Sequence, residues 1–173
     1  HESMMAFAAD LSICFQELDS RVDTGMAEMR TDKLKQLAFL KDFGDAEIWE
    51  LLRWSQWQEF EDGEAIIREG ETDDAIYILV SGSSEVKKGQ NVVAMIESGE
   101  FIGEIAFLAK CKRTATVSDK GHCTVLCISA NQIERASERC QILFQRVLIS
   151  TLTNRLVKTT SQFAGQSAEL QEP

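Results

Sequence analysis

A chain of 173 residues with 44% hydrophobic and 27% charged side chains has room for one folded domain with a proper core plus an appendage. Its formal charge of −10, from 28 acidic against 18 basic side chains, repels a polyphosphate backbone and disfavours nucleic-acid binding. The longest apolar runs fall well short of the ~18 residues a membrane span needs, so neither a membrane segment nor a targeting signal is expected.

His1 is an unusual natural first residue, and the opening positions carry no weight below. From Met4, the residues Met4, Ala8, Leu11, Phe15, Leu18 and Val22 recur at alternating spacings of four and three, one stripe of an amphipathic helix that Gly25 ends or loosens. A second helical stretch, from about Asp32 to Leu40, leads into FGDAEIWELLRW, where Asp45 reads as the N-cap of a short helix. After Trp57 the pattern changes to EAIIRE, AIYILVSG, SEVKK, VVAMIE, RTATVSD and CTVLCIS, punctuated by glycines, which indicates an antiparallel barrel or sandwich. From Asn131 the helical period returns. Ile142, Ile149, Leu152, Leu156 and Phe163 fall on one seam if Gln145 and Thr159 take its polar positions, giving one long helix. The tail beyond Phe163 has too little apolar surface to offset its ordering entropy and is expected to fray.

The cysteines Cys14, Cys111, Cys123, Cys127 and Cys140 are odd in number and lack metal-type C-x-x-C spacing. Reduced thiols in a cytoplasm, packed as small hydrophobes or lying at the surface, fit best. His122 is the sole internal histidine, so neither a nucleophile with its base nor a two-histidine metal site can be assembled, and the chain is not expected to be an enzyme or to hold a metal.

The most informative stretch is GEFIGEIAFLAKCKRTATV, Gly99 to Val117. Gly103 precedes a short helix whose free N–H groups could receive one phosphate; alone it is more often a turn glycine. Glu104, among apolar neighbours Ile102 and Ile105, needs a defined partner, such as a ribose 2′-hydroxyl, unless it only answers the helix dipole. Alternation turns Arg113, Ala115 and Val117 to one face, where a planar guanidinium suits two phosphate oxygens; an internal pair with Glu104 competes with that reading. Thr114 offers a hydroxyl, and Ala106 and Ala115 leave room for a ligand against the main chain. Only the ordered set is specific.

FIGEIAFLAKCKRTATV resembles the phosphate-binding cassette of cyclic-nucleotide-binding domains, found in catabolite-activator-type regulators, cyclic-nucleotide-dependent kinases and gated channels. The likeness spans roughly Leu37 to Phe163 and includes AIIREGETDDAIYILVSGSSEV ahead of the cassette; it departs where a proline often precedes the arginine and Lys112 stands here. It implies an α+β fold: an antiparallel β-roll or jelly-roll barrel over about 56–129, flanked by N-terminal helices and a long C-terminal helix. The domain is then 37–163, with C-terminal helices over about 130–163, a helical extension over 1–36 and a flexible tail over 164–173. The resemblance also implies that Glu104 takes the ribose hydroxyl and Arg113 the cyclic phosphate, with Gly103, Ile105, Thr114 and Ala115 lining the phosphate. NRLVKTTSQ looks like the stretch of catabolite activators that faces the pocket and adenine, which gives Arg155, Thr159 and Thr160. Thr159 would interrupt the apolar seam unless a base met it; bonding to a carbonyl of its own helix is equally good.

Ten residues after Phe163 leave no room for a helix-turn-helix, so a DNA-binding activator is not expected. The reading is a stand-alone cyclic-nucleotide sensor without a cofactor, for cyclic AMP with cyclic GMP as the alternative. Ligand would couple to the C-terminal helix, whose seam Ile149, Leu152, Leu156 would make a homodimer; the downstream effector is unknown. The contrasting reading is a ligand-free oligomerisation scaffold closed by a Glu104 to Arg113 pair.

Overall fold

A computed structural model describes the backbone of residues 33–169 and the side chains of residues 33–161. The expected helix from Met4 to Val22, Gly25 and Cys14 lie outside the described residues. The chain divides into two compact units, His1–Gln36 and Leu37–Pro173, and the site belongs to the second.

A 3-10 turn, Ala38–Leu40, leads into α1, Asp45–Trp54. The expected N-cap moves back one residue. The Gly44 N–H donates to Glu47 Oε2 at 2.8 Å, so Asp45 becomes the first helical residue, with its carboxylate in the first turn where the helix dipole favours it.

Each of the six β-type runs contains a strand: β2 (Ala65–Ile67), β3 (Ala75–Ser81), β4 (Ser83–Lys88), β5 (Asn91–Glu97), β7 (Thr116–Asp119) and β8 (His122–Ser129). Two others carry weak local signals. β1 (Gln56–Glu61) is a polar edge strand held in register along β8, from Gln56 opposite Cys127 to Glu61 opposite His122. β6 (Phe101–Ile102) has two residues, paired to Ile78 and Tyr77 of β3. The strands form two four-stranded antiparallel sheets, β1-β8-β3-β6 and β2-β7-β4-β5, which make the expected roll. Between them Ile66, Ile67, Leu79, Ile96, Ile102, Val117, Cys123 and Val125 form one buried cluster.

Helix α2 (Glu104–Ala109) follows β6 directly, α3 (Ala130–Glu134) follows β8, and α4 (Glu138–Glu169) closes the described chain. The single long helix expected from Asn131 is therefore two. Ser137 breaks it: its hydroxyl accepts from Cys140 N–H at 3.3 Å, while its own N–H donates to Glu50 Oε2 of α1 at 2.7 Å. α4 also continues to Glu169, past the point where the sequence suggests fraying, because extending an existing helix costs far less than starting one.

The inward stripe of α4 is Cys140, Phe144 and Leu148, four residues apart and fully buried. Phe144 meets Phe101 edge-on at 5.9 Å between ring centroids, and Phe101 meets Phe39 at 4.9 Å. The heptad residues Ile142, Ile149 and Leu156 face outward, 43%, 63% and 67% exposed, so the seam read from the sequence is the face α4 does not use within its own domain.

Candidate functional site

The cassette is built where β6 turns into α2. Gly103 has φ +83°, a left-handed conformation that lets the chain reverse, and a Cβ there would overlap the Arg113 guanidinium. The same reversal buries Glu104 (2% exposed) and Ala106 while Ile105 points outward at 46%. Ile105 is therefore not the buried neighbour of Glu104 that the sequence suggests; Ile102, fully buried, is.

Arg113 lies on the loop before β7, with its backbone fixed at both ends: its N–H donates to Glu71 carbonyl at 2.8 Å and its carbonyl accepts from Gly70 N–H at 2.9 Å. The side chain turns inward and is completely buried. The expected alternation appears only in part: Arg113 and Val117 are buried and Thr114 exposed, but Ala115 and Thr116 are both half-buried, and β7 begins only at Thr116. Nε donates to Asp73 Oδ2 at 2.8 Å, Nη2 to Asp73 Oδ1 and to Ala75 carbonyl at 2.6 Å, and Nη1 to Gly103 carbonyl at 2.9 Å. The Tyr77 ring centroid lies 5.9 Å from Cζ. Burial, ahead of the neighbouring charges, raises the Tyr77 hydroxyl to about 12, so it stays neutral beside the guanidinium.

The acidic partner of this arginine is not Glu104, the one weighed from sequence, but Asp73. Asp73, on the loop between β2 and β3 and 40 residues away in the chain, occupies the Nε and Nη2 edge of the fork. Sequence reasoning did not single it out, although it sits in the GETDDAIY run. Of the five guanidinium N–H donors, these four bonds leave one on Nη1. The two-oxygen grip on phosphate would require Asp73 to yield.

Glu104 pairs instead with α4. Arg155 Nη1 donates to Glu104 Oε1 and Nη2 to Phe101 carbonyl, both at 2.5 Å. Arg155, 31% exposed, also borders a groove of about 780 Å³ between the 3-10 turn and α4, lined by Phe39, Phe43, Gly99, Leu143 and Asn154. The structure thus brings Gly103, Glu104, Arg113 and Arg155 together as two ion pairs, Arg113 with Asp73 and Glu104 with Arg155. The Glu104 to Arg113 pair does not form. Thr159 and Thr160 are exposed and donate to their own helix, to Arg155 carbonyl at 2.9 Å and Leu156 carbonyl at 2.8 Å; for Thr159 this is the alternative weighed from sequence.

The chain is similar to known proteins in sequence and fold. Residues 57–140 match the model of the cyclic nucleotide-binding domain. The cAMP-dependent protein kinase regulatory subunit of Yarrowia lipolytica is 38% identical over 104 residues, 59% of this chain and 28% of that protein. Human cGMP-dependent protein kinase 2 is 30% identical over 103 residues, 60% of this chain and 14% of that protein. The regulatory domain of Toxoplasma gondii PKA, crystallised with cAMP, superposes with a TM-score of 0.61 at 26% identity, covering 74% of this chain and 52% of that one. The chain spans under a third of either curated relative. Over residues 57–140 it is recognised as a cyclic nucleotide-binding domain, on an α+β β-roll similar to that of kinase regulatory regions.

Proposed function

We propose that this domain is a cyclic-nucleotide sensor, with cyclic AMP as its ligand and cyclic GMP as the alternative. The observation that carries the reading is Arg113, a buried cation beside the left-handed turn at Gly103. A cyclic phosphate carries one negative charge and meets the free Nη1 donor, the α2 start and the Thr114–Ala115 backbone. It competes with Asp73 for the rest of the fork. The ribose hydroxyl donates to Glu104. Because Glu104 is also the partner of Arg155, that bond weakens one tie between the cassette and α4, and ligand binding is felt by the helix. Thr159, one turn beyond Arg155 and on the same face, is the residue proposed to meet the base, with Thr160 beside it.

A reducing, cytoplasmic setting suits the free thiols of Cys111, Cys123, Cys127 and Cys140. The outward residues Ile149 and Leu156, with half-buried Leu152, are proposed to pair two copies through α4. Neither nucleic acid nor membrane is proposed as a partner, and catalysis is not proposed. Calorimetric titration with cyclic AMP and cyclic GMP tests the reading. Binding below millimolar concentration that Arg113→Ala abolishes supports it; binding of neither nucleotide, or an unchanged Arg113→Ala affinity, ends it. A monomer by sedimentation at micromolar concentration would dispose of the dimer.

The second reading, a closed scaffold, loses the Glu104 to Arg113 pair it was built on and draws instead on the Asp73 pair, which neutralises the Arg113 charge within the chain. It predicts no heat of binding with either nucleotide.

A further inference from the structure

Lys88 ends β4 and reaches across to the cassette. Its Nζ donates to the Thr114 carbonyl at 2.7 Å and to Glu69 Oε1 at 2.5 Å. Glu69 is itself tied down twice more, its Oε2 accepting from Gly89 N–H at 3.2 Å and its N–H donating to Thr116 Oγ1 at 3.0 Å. The Lys88 hydrogen bond, ahead of the Gly89 N–H, holds the Glu69 carboxyl below its ordinary value, which keeps the anion that fixes the ammonium. Three separate segments, the loop after β2, the tip of the β4–β5 hairpin and the cassette exit, therefore meet at the Lys88 ammonium.

Stability does not explain this arrangement. The Lys88 and Glu69 side chains are 59% and 37% exposed, and ion pairs so open to water contribute little to folding. The Thr114 carbonyl, however, belongs to the same peptide unit as the Ala115 N–H. A cation on that oxygen draws electron density toward it and leaves the N–H at the other end more positive, hence a stronger donor. Ala115 is one of the residues proposed above to meet the phosphate.

We infer that Lys88, fixed by Glu69, is a positioning residue for the cyclic phosphate, acting through the Thr114–Ala115 peptide without touching the ligand. The inference rests on the cyclic-nucleotide reading of the site and adds to it a second cation outside the cassette. It assigns the charge of Lys88 to one exocyclic oxygen of the phosphate, the one that faces Ala115.

The test is the affinity of the full chain for cyclic AMP and for the two phosphorothioate diastereomers of cyclic AMP, each of which has sulfur in place of one exocyclic oxygen. Lys88→Met is expected to weaken cyclic AMP binding about three- to tenfold, with a ligand-free melting temperature within about 2 °C of the parent and recovery in Lys88→Arg. It should also change the ratio of the two diastereomer affinities, because only one keeps an oxygen facing Ala115. A general loosening of the loop would weaken both by the same factor and leave the ratio unchanged. A Lys88→Met affinity within twofold of the parent, or an unchanged ratio, overturns the inference while leaving the sensor reading intact. A parent chain that binds no nucleotide overturns both.

Discussion

Replacing Arg155 with methionine removes the cation that Glu104 faces while keeping an apolar stem of similar length. Glu104 is 2% exposed, so the change strands a carboxylate among Ile102, Phe101 and Ala106, all buried. Breaking a fully buried pair from one side costs about 3–5 kcal/mol; Arg155 is nearly a third open to water, which lowers the figure here to about 2–3 kcal/mol. For a chain of this length that is a fall in melting temperature of about 5–10 °C. Glu104→Gln in the same chain should restore most of it, since a neutral amide is far less costly to bury, and the four-way comparison should give a coupling of at least about 1 kcal/mol. Saturating cyclic AMP should narrow the gap between Arg155→Met and the parent, because the 2′-hydroxyl supplies Glu104 with a donor; the 2′-deoxy nucleotide should not. A coupling below about 0.5 kcal/mol, or an Arg155→Met protein that melts with the parent, refutes the assignment of this pair as the tie between cassette and helix.

Gly103→Ala places a Cβ in a left-handed backbone and against the Arg113 guanidinium, so it should cost about 1–2 kcal/mol from the backbone alone and at least tenfold in cyclic AMP affinity by calorimetry. Asp119 is 1% exposed and its carboxylate has only the Cys123 thiol, a weak donor, beside it; Asp119→Ala should raise stability by about 1–2 kcal/mol, read as a higher urea midpoint at unchanged slope. A lower midpoint would contradict it. Burial, its largest cause, holds the Cys123 thiol near 12 and the Cys140 thiol near 11 against an ordinary 9.0. Their folded forms keep the proton longer, so this part of the stability is complete below about pH 9 and is lost as pH rises through about 11–12, which urea melts across that range will register. Among the described cysteines, a thiol reagent at neutral pH should modify exposed Cys111 first and reach Cys123 and Cys140 only on unfolding; equal rates would contradict this.

What could be read from sequence follows the range of the forces involved. The cassette was legible because its glycine, its carboxylate and its arginine lie within one short run and each is costly there without a purpose: Gly103 for its backbone angle, Glu104 and Arg113 for burying charge. Their partners were less so. Asp73 is 40 residues from Arg113, and an acidic pair in a loop looks like ordinary surface until the roll closes; Arg155, 51 residues from Glu104, was named only through the family resemblance, without its partner. Six strands announced themselves by alternation or branching, whereas β1 is polar and β6 only two residues long, so both depend on pairing with β8 and β3. Ser129 with Gln132 shows the serine-x-x-glutamine capping pattern in the sequence itself. Ser137 does not, since half its role comes from Glu50 of α1. The seam on α4 had the right period and an outward face, because periodicity reports a stripe and not what covers it.

Among the described side chains, the buried anchors of α4 lie in its first half, at Cys140, Phe144 and Leu148, with Arg155 the last one tied to the roll. Beyond it fourteen residues of continuous helix run to Glu169, a rod of about 20 Å. A tilt of about 10° at Arg155 therefore sweeps the far end through roughly 3–4 Å by simple lever geometry over that length. On the coupling proposed above, an exchange of one hydrogen bond inside the cassette would be amplified into a displacement large enough for another protein to read.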